Sequence, residues 1–365
     1  NCGVIAAGAL MQYLYETQKN SLSHLTKITP YYTEKYMVID SSTRRNLELV
    51  ETLREKQKRG SLLWVLDKTK TAMGARLLRN FVEQPLIDKN EIESRLDAIE
   101  ELNLSAISRE EIREYLGPVY DLERLISKIT YQSANPRDLI AFKTSLSMLP
   151  ALSYMLKQFN KSLLKDIGDS FDALEDLYKL IDSAIEDDPP LSVKEGNIIK
   201  LSYNDVVDEL RSAKTEGKDW LAKLESEERE KTGIKNLRIK FNKVFGYYIE
   251  VTNSYKDLVP DNYIRKQTLT NAERYITPEL KELEDKILGA EERLFSLEYQ
   301  LFAQVREKIA EQVVRIQTTA HNIALVDAIC SLAVVSEKNN FVRPKINVKG
   351  IIDIKDGRHP VVEQM

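Results

Sequence analysis

Basic and amide side chains concentrate in residues 236–276, where they could bind phosphate groups. This segment holds seven lysines and arginines against four acidic residues, a net charge of +3, whereas the whole chain of 365 residues carries −4. Such side chains hold the phosphates of nucleic acids without reading the bases. Composition leaves two interpretations open, a phosphate-backbone contact or a solvated basic surface. The candidate residues are Asn242, Lys243, Arg265, Lys266, Gln267, Thr268, Asn271 and Arg274.

Four aromatic residues accompany this basic group, and the sequence favours a packing role for them. Phe241, Phe245, Tyr247 and Tyr248 lie in a run of alternating apolar residues that contains one glycine. A very small sheet needs large side chains to build its core. We therefore expect these rings to hold the local structure together, while the cations and amides face outward.

The usual signatures of enzymes are missing from the sequence. None of the patterns G-x-G-x-x-G, H-E-x-x-H or G-x-S-x-G occurs. The pair Gly217-Lys218 is followed by Asp219 inside a helical pattern, so it does not form a phosphate-binding loop, which needs a Gly-rich turn and a Ser or Thr. The acidic runs are typical of solvated helix faces. The sequence thus indicates no catalytic residues and no metal ligands.

Histidine and cysteine are too scarce for a metal site or a disulfide framework. His24 and His321 fall on helical patterns beside apolar residues, so we expect them at interior or boundary positions. His359 lies in a turn, and its spacing indicates no role. Cys2 and Cys330 are far apart in sequence and form no C-x-x-C pair. This usage is typical of a reducing cytoplasm.

Two long helical patterns flank the basic segment. Residues 204–231 carry apolar residues at helical spacing, and residues 277–317 do so in steps of three and four that become steps of four after Leu301. The second pattern would extend roughly 60 Å at about 1.5 Å per residue. The two helices are therefore expected to be antiparallel rods longer than one small domain.

Between the rods, four short runs predict strands at 237–241, 247–251, 262–269 and 273–276. Residues alternate between apolar and polar in these runs, and turn residues separate them. The simplest arrangement is a small antiparallel sheet inserted at the far end of the two rods.

The rest of the chain is mostly helical in pattern. Residues 42–59 and 62–82 predict two helices, and capping boxes are expected at Asp88 and Ser108. Asn135 followed by Pro136 is a strong helix start. Gly117, which precedes Pro118, is expected to end a helix in the left-handed conformation. Residues 345–365 turn strand-like. The fold class is thus mainly α, with a helical core bundle.

Composition agrees with a helical protein that spans no membrane. Only 13 glycines and 11 prolines occur, and no apolar run reaches about 18 residues. The first residues lack a basic region and an initiator methionine, so they read as a helix entered partway. We therefore expect the chain to be a fragment of a longer protein.

The sequence resembles the MutS family of DNA mismatch repair proteins over residues 36–365. "NKVFGYYIEVT" and "YIRKQTLTNAERYITPELKELEDKIL" resemble that family's clamp domain. "DSSTRRNLEL" and "LLWVLDKTKTAMGARLLRNFVEQPL" resemble its core and lever, and "GRHPVVEQ" the start of its ATPase domain. The earlier "AAGALMQYLYETQKNSLSHL" resembles the last helix of the connector domain.

The resemblance implies a function that the residues alone do not. Members of this family close around double-stranded DNA as homodimers, work with a MutL-type partner, and use ATP and Mg²⁺ in a C-terminal domain. The clamps would grip the DNA backbone, and the levers would transmit the nucleotide state. Phe81 and Glu83 spell the family's Phe-x-Glu mismatch motif, but they lie at a helix end in the core block, so we reject them as the mismatch reader.

The resemblance also implies domain boundaries. The chain would comprise the end of the connector (1–38), the core with the first lever helix (39–235), the clamp (236–293), the returning lever helix with the core (294–345) and the start of the ATPase domain (346–365). No cofactor is expected to bind this fragment, and cytoplasmic, nucleoid-associated localisation is implied. The alternative is a structural coiled-coil scaffold whose tip binds protein.

Overall fold

The computed structural model describes residues 2–17, 35–160 and 162–365, and the fold is mainly α. These residues form fourteen α-helices and one four-stranded antiparallel sheet, which confirms the predicted fold class. Helix α1 (Cys2–Thr17) has no buried residue. His24 and the rest of the segment 18–34 lie outside the described residues.

The chain divides into two compact units. Unit 1 comprises Asn1–Asp182 and Val305–Met365, and unit 2 comprises Ser183–Gln304. The five finer domain boundaries expected from the sequence stay predictions. The helices with residues in unit 1, besides α1, are α2 (Ser41–Asn46), α3 (Leu62–Leu66), α4 (Ala72–Glu83), α5 (Lys89–Leu104), α6 (Ala106–Leu116), α7 (Leu122–Thr130), α8 (Pro136–Ser147), α9 (Leu149–Leu156), α10 (Ser162–Ser170), α11 (Glu175–Ala184), the end of α13 (Pro278–Ala310) and α14 (Val313–Lys338).

Helix α14 forms the centre of unit 1. Its side chains Ile316, Ile323 and Ile329 are almost fully buried, and it packs against α4, α5 and α7. By length and hydropathy alone, α14 and the segment Pro136–Leu156 could cross a membrane, but 67% and 44% of their apolar windows are buried within the structure. Such burial is typical of core helices in a bundle.

A buried carboxylate on α14 fixes the loop between α3 and α4. Asp327 accepts hydrogen bonds from the backbone N–H of Lys70 at 2.9 Å, and from the N–H and hydroxyl of Thr71, both at 2.7 Å. Thr71 in turn caps α4 through the N–H of Gly74 at 2.9 Å. A Cβ at Gly74 would lie 2.2 Å from Asp327 Oδ2, so this position must be glycine.

The helix start predicted at Asn135 is confirmed, and of the capping box predicted at Asp88 the structure contains the bond to the Asp88 side chain. Asp88 accepts from the N–H of Glu91, and Asn135 and Asp138 form a reciprocal capping box at the start of α8. In unit 2, Asn204 caps α12 (Asp205–Thr232), and Gly233 ends it with a left-handed φ of 70°. These signals need only neighbouring residues, which is why the sequence reveals them.

Other local predictions are wrong. The helix expected at 42–59 stops at Asn46, because Glu48 takes a φ of 48° and its carboxylate accepts from the N–H of Leu53. Side chains that bond nearby backbone in this way compete with the helix. Ser108 lies inside α6, and Gly117 has a φ of −55°, which is right-handed.

Two longer predictions are also corrected. The helix expected at 277–317 ends at Ala310, and α14 begins at Val313 after a short turn. Residues 345–365, all of them described, contain no strand. Alternating apolar residues form a strand only where another strand accepts their backbone hydrogen bonds.

In unit 2, the small sheet packs on two long helices. Its strands are β1 (Arg238–Asn242), β2 (Gly246–Thr252), β3 (Ile264–Thr268) and β4 (Ala272–Ile276), in the order β1-β2-β4-β3. Leu221 and Leu224 from α12 and Leu280 and Ile287 from α13 share one core with Ile249, Val251 and Tyr275 of the sheet. The four predicted strands are thus confirmed.

The two long helices run antiparallel and are tied by close contacts. Lys214 of α12 pairs with Glu291 of α13 at 2.6 Å, and Arg211 pairs with the fully buried Glu298. Gly217 lies between these residues and the sheet, where a Cβ would be 2.6 Å from Ile287. Glycine therefore sets how closely the helices approach.

We expect Gly217→Val to destabilise unit 2 by about 1–3 kcal/mol, because the added methyl groups must displace Ile287. The matched control is Gly289→Ala on α13, where a Cβ would meet nothing within 4 Å. That change should stabilise the helix by about 0.5–1 kcal/mol. Urea unfolding followed by circular dichroism measures both; equal effects would contradict the close-contact explanation.

Helix α12 also covers the outer edge of β1. Glu225 accepts from the N–H of Ile239 at 2.7 Å, and Arg229 donates to the carbonyl of Leu237 at 2.7 Å. On the other helix, Glu284 accepts from the N–H of Tyr247 at 2.7 Å. Each long helix therefore holds the backbone of one strand through a carboxylate.

Candidate nucleic-acid interface

The turn between β1 and β2, at residues 242–246, contains two of the predicted phosphate-binding residues, which have different surroundings. The Asn242 side-chain oxygen accepts from the N–H of Val244 at 2.8 Å and so closes the turn, while a phosphate contact by this residue stays a prediction. Lys243 is exposed and has no hydrogen bond or ion pair within the described chain. Gly246 has a φ of 76°, and a Cβ there would lie 2.4 Å from Glu284.

We expect Gly246→Ala to destabilise the sheet more than Gly233→Ala. Both glycines have left-handed φ values, but a Cβ at Gly233 would meet nothing within 4 Å. The strain common to both is about 1 kcal/mol, and only Gly246→Ala also displaces the Glu284 carboxylate. Thermal unfolding of the two variants gives the difference; identical losses would mean that the Glu284 contact adds nothing.

The antiparallel register separates the candidate residues into two groups. Asn242 pairs with Gly246 at one end of the sheet, the hairpin end, whereas Thr252 pairs with Ala272 at the other, which we call the β3–β4 end. The seven residues of β2 place these ends about 20 Å apart at about 3.3 Å per residue. Thr268 and Asn271 belong to the β3–β4 end, Lys266, Gln267 and Arg274 lie between the two ends but nearer to that end, and Arg265 lies midway.

Arg274 is largely occupied by neighbours on its own face of the sheet. Its guanidinium lies 4.4 Å from the Tyr248 ring centroid, donates to the Gln267 side chain at 2.8 Å, and is 3.7 Å from Glu250. Only 18% of its side chain is exposed. A phosphate would have to replace these partners, so Arg274 and Gln267 are better suited to positioning than to direct contact.

A buried carboxylate organises the cations on the core face near the β3–β4 end. Glu273 pairs with Lys256 at 3.0 Å and with Arg265 at 3.5 Å, and accepts from the Tyr275 hydroxyl. The hydroxyl and Lys256 hold the pKa of Glu273 below its usual range. Burial, together with Glu273, raises the pKa of Tyr275 to about 12. One negative charge thus fixes two cations whose side chains stay more than half exposed.

Lys266 has no hydrogen bond or ion pair within the described chain and lies in a β-bulge between Arg265 and Gln267. Thr268 and Asn271 are exposed beside it. Lys256, Arg265 and Lys266 give this group three exposed cations, whereas the hairpin turn has one, Lys243; the acidic residues beside the three cations are Glu273 and Asp257. The β3–β4 end is therefore the stronger candidate for a phosphate contact.

The aromatic residues follow the packing prediction only in part. Tyr248 is 4% exposed, and Tyr247 is half-buried with its ring 5.0 Å from Phe241. Phe241 and Phe245 are 49% and 38% exposed at the hairpin end. Phe241 lies near the end of β1 and Phe245 in the turn, so these two rings are less buried than Tyr248 in the middle of the sheet.

Sequence reasoning missed three basic residues of the sheet region. Lys256 lies in the loop after β2 and pairs with Glu273, while Arg238 and Lys240 face outward from β1 beside Glu250. Lys240 pairs with Glu250 at 2.7 Å. The alternation of Arg238 and Lys240 along β1 could have identified these two residues. No pattern in the neighbouring sequence places Lys256 next to β4.

His321, His359 and Phe81, which the sequence analysis also considered, lie outside the basic sheet. His321 is exposed on α14, contrary to the interior or boundary position expected, and His359 accepts from the N–H groups of Val361 and Val362 at 3.3 Å. Phe81 lies on α4 under the guanidinium of Arg95, at 3.6 Å from ring centroid to guanidinium. No cluster of metal-ligating side chains occurs in the ranges that the structure describes.

The fold and this surface define a class: a mainly α protein in which a small basic sheet is inserted in sequence between two long antiparallel helices. The family model for MutS domain III matches residues 42–333. The chain belongs to the MutS family.

Curated relatives match along the whole chain. The chain is 69% identical over 363 residues to the DNA mismatch repair protein MutS of Lachnoclostridium phytofermentans, covering 100% of this chain and 39% of the relative. It is 58% identical to that of Caldanaerobacter subterraneus subsp. tengcongensis (98% and 41%) and 52% to that of Clostridium botulinum strain Okra (99% and 39%). The chain thus spans about two fifths of the length of these relatives.

Proposed function

We propose that the chain is the core, lever and clamp part of a MutS-type mismatch repair protein and grips duplex DNA through its phosphate backbone. The observation that carries the proposal is the set of exposed cations at the β3–β4 end, with Lys266 lacking any partner in the described chain. The contact would position DNA without selecting its sequence.

The two long helices suit a role in transmission. They are joined at Gly217 and by ion pairs, and each holds a strand of the sheet through a carboxylate. We propose that they couple the state of a nucleotide-binding region to the grip on DNA, as movement of rigid elements. ATP, Mg²⁺, homodimer formation and a MutL-type partner are proposed for the longer parent protein, in the cytoplasm and at the nucleoid. No catalytic step is assigned to the residues of this chain.

Fluorescence anisotropy with matched and mismatched duplexes tests the DNA contact. We expect equal affinity for both, and a salt dependence whose log–log slope is about −2.7 if three phosphates are neutralised. Affinity would then fall about fortyfold between about 50 and 200 mM salt. Absence of binding at low salt would contradict the proposal.

The exposed Phe241, Val244 and Phe245 at the hairpin end favour a second candidate, a coiled-coil scaffold whose tip binds protein. Val244 is 81% exposed, and exposed apolar groups of this kind can mark protein contacts. This function predicts no duplex binding at any salt concentration, so the same titration separates the two candidates.

A further inference from the structure

Unit 1 contains an apolar groove that the proposed DNA contact does not use. It has a volume of about 510 Å³ and is lined mainly by leucine, isoleucine and methionine side chains from α3, α4, α5 and residues 37–49. Met37 and Leu47, which contribute to this lining, are 50% and 60% exposed. The volume is within the range of specific ligand sites.

One cation lies in this apolar lining. The guanidinium of Arg95 is stacked on the Phe81 ring at 3.6 Å, and in the described residues it has no hydrogen bond or ion pair. Glu91, one turn earlier on the same helix, is engaged by Lys35 at 2.8 Å. Burial lowers the pKa of Arg95, and the nearby Glu91 and Tyr36 offset only part of this effect.

The surroundings of the groove are polar and basic on both sides. A second cavity of about 530 Å³ shares Phe81, Leu86 and Arg95 with it and adds the ion pair of Lys35 with Glu91. A third, smaller cavity shares Ile39 with the groove and is lined by Arg44, Arg45 and Glu51, a net positive charge. An occupant therefore meets an apolar floor, a partly buried guanidinium and a net positive charge beside it.

We propose that this groove binds a polypeptide segment that carries apolar side chains around one aspartate or glutamate, whose carboxylate pairs with Arg95. A partly buried guanidinium without a hydrogen-bond acceptor is unfavourable, and a carboxylate can satisfy it with two parallel hydrogen bonds. The apolar lining rewards neighbouring leucine or isoleucine side chains, whereas the phosphate backbone of a nucleic acid offers none. Charge and apolar surface together thus specify an acidic, otherwise apolar segment.

The test uses two capped pentapeptides as probes, acetyl-LLELL-amide and acetyl-LLQLL-amide, titrated into the whole chain by NMR. We expect the glutamate peptide to bind about tenfold more tightly than the glutamine peptide, because only the former forms a charge-assisted pair. Arg95→Gln should remove this preference. Arg79→Gln is the matched control, since Arg79 is exposed on α4 and pairs with Glu83; the preference should persist there.

A second variant keeps the test decisive if Arg95→Gln alters folding. Leu47 is exposed, so Leu47→Asp should leave thermal unfolding unchanged while weakening both peptides at least tenfold. Failure of both peptides to bind, equal binding of the two, or a preference that survives Arg95→Gln would each overturn the proposal. Displacement of the glutamate peptide by duplex DNA would also overturn it, by assigning the groove to nucleic acid.

Discussion

The double variant Arg265→Gln/Lys266→Gln is expected to bind duplex DNA about a hundredfold more weakly at about 50 mM salt, with a salt dependence flatter by about two. Both side chains are exposed at or near the β3–β4 end, and neutralising them removes two counterion-releasing contacts. Glu273 keeps its ion pair with Lys256 at 3.0 Å and its hydrogen bond from Tyr275, so the sheet should stay folded.

The matched control for this variant is Lys243→Glu. It changes the net charge by the same two units but acts at the hairpin end, about 10 Å away along the strands and about 10 Å across two strands of the sheet. We expect its affinity to stay within about threefold of the parent chain at about 50 mM salt, because exposed charges beyond a Debye length of about 10–15 Å are largely screened. Equal losses in the two variants would indicate that total charge matters, and a larger loss in Lys243→Glu would move the contact to the hairpin end.

The second large effect is expected from Asp327→Ala, which should destabilise unit 1 by about 3–5 kcal/mol. The change leaves the N–H groups of Lys70 and Thr71 and the Thr71 hydroxyl without their buried acceptor, and each orphaned group costs about 1–3 kcal/mol. Urea unfolding measures the loss, with Trp64 emission in a Trp220→Phe background reporting on α3 beside the loop. Asp169→Ala, which removes an exposed carboxylate, should change stability by less than about 0.5 kcal/mol.

Asp327 also gives a pH dependence whose sign can be stated. Burial raises its pKa above the ordinary value, so the folded state binds its proton more tightly than the unfolded state. The contribution of this group is therefore fully present below the unfolded pKa and is lost as pH rises through the folded pKa. The stability of the parent chain relative to Asp327→Asn should fall over that window, and a parallel pH profile for the two would contradict the raised pKa.

Features that depend on neighbouring residues could be predicted from the sequence. The four strands, the cap at Asn135 and the end of α12 at Gly233 all follow from local spacing, and the structure contains each of them. The break between α3 and α4 could not be predicted in this way. It depends on the hydrogen bond from the N–H of Thr71 to Asp327, which lies 256 residues further along the chain. Local periodicity cannot indicate a contact between residues so far apart in sequence.

In the candidate surface, too, the sequence indicated which residues are present but not which of them lie together. Sequence reasoning grouped Lys243 with Lys266 because both lie in one basic segment, but antiparallel pairing places them toward opposite ends of the sheet. It also treated Arg274 as a free cation, whereas the structure places this guanidinium over Tyr248 and against Gln267. Which cations remain available depends on cross-strand neighbours, and only the register determines these.

The carboxylates of Glu225 and Glu284 attach the small sheet to the two long helices at two points. Each binds a strand N–H at 2.7 Å, one from α12 and one from α13. If one helix slid along the other by a single turn of about 5.4 Å, at least one of these bonds would have to break, because neither carboxylate can follow both helices. The orientation of the sheet on the two helices and the register of one helix against the other therefore change together. A ligand that binds one orientation of the sheet more tightly also favours one register of the helices.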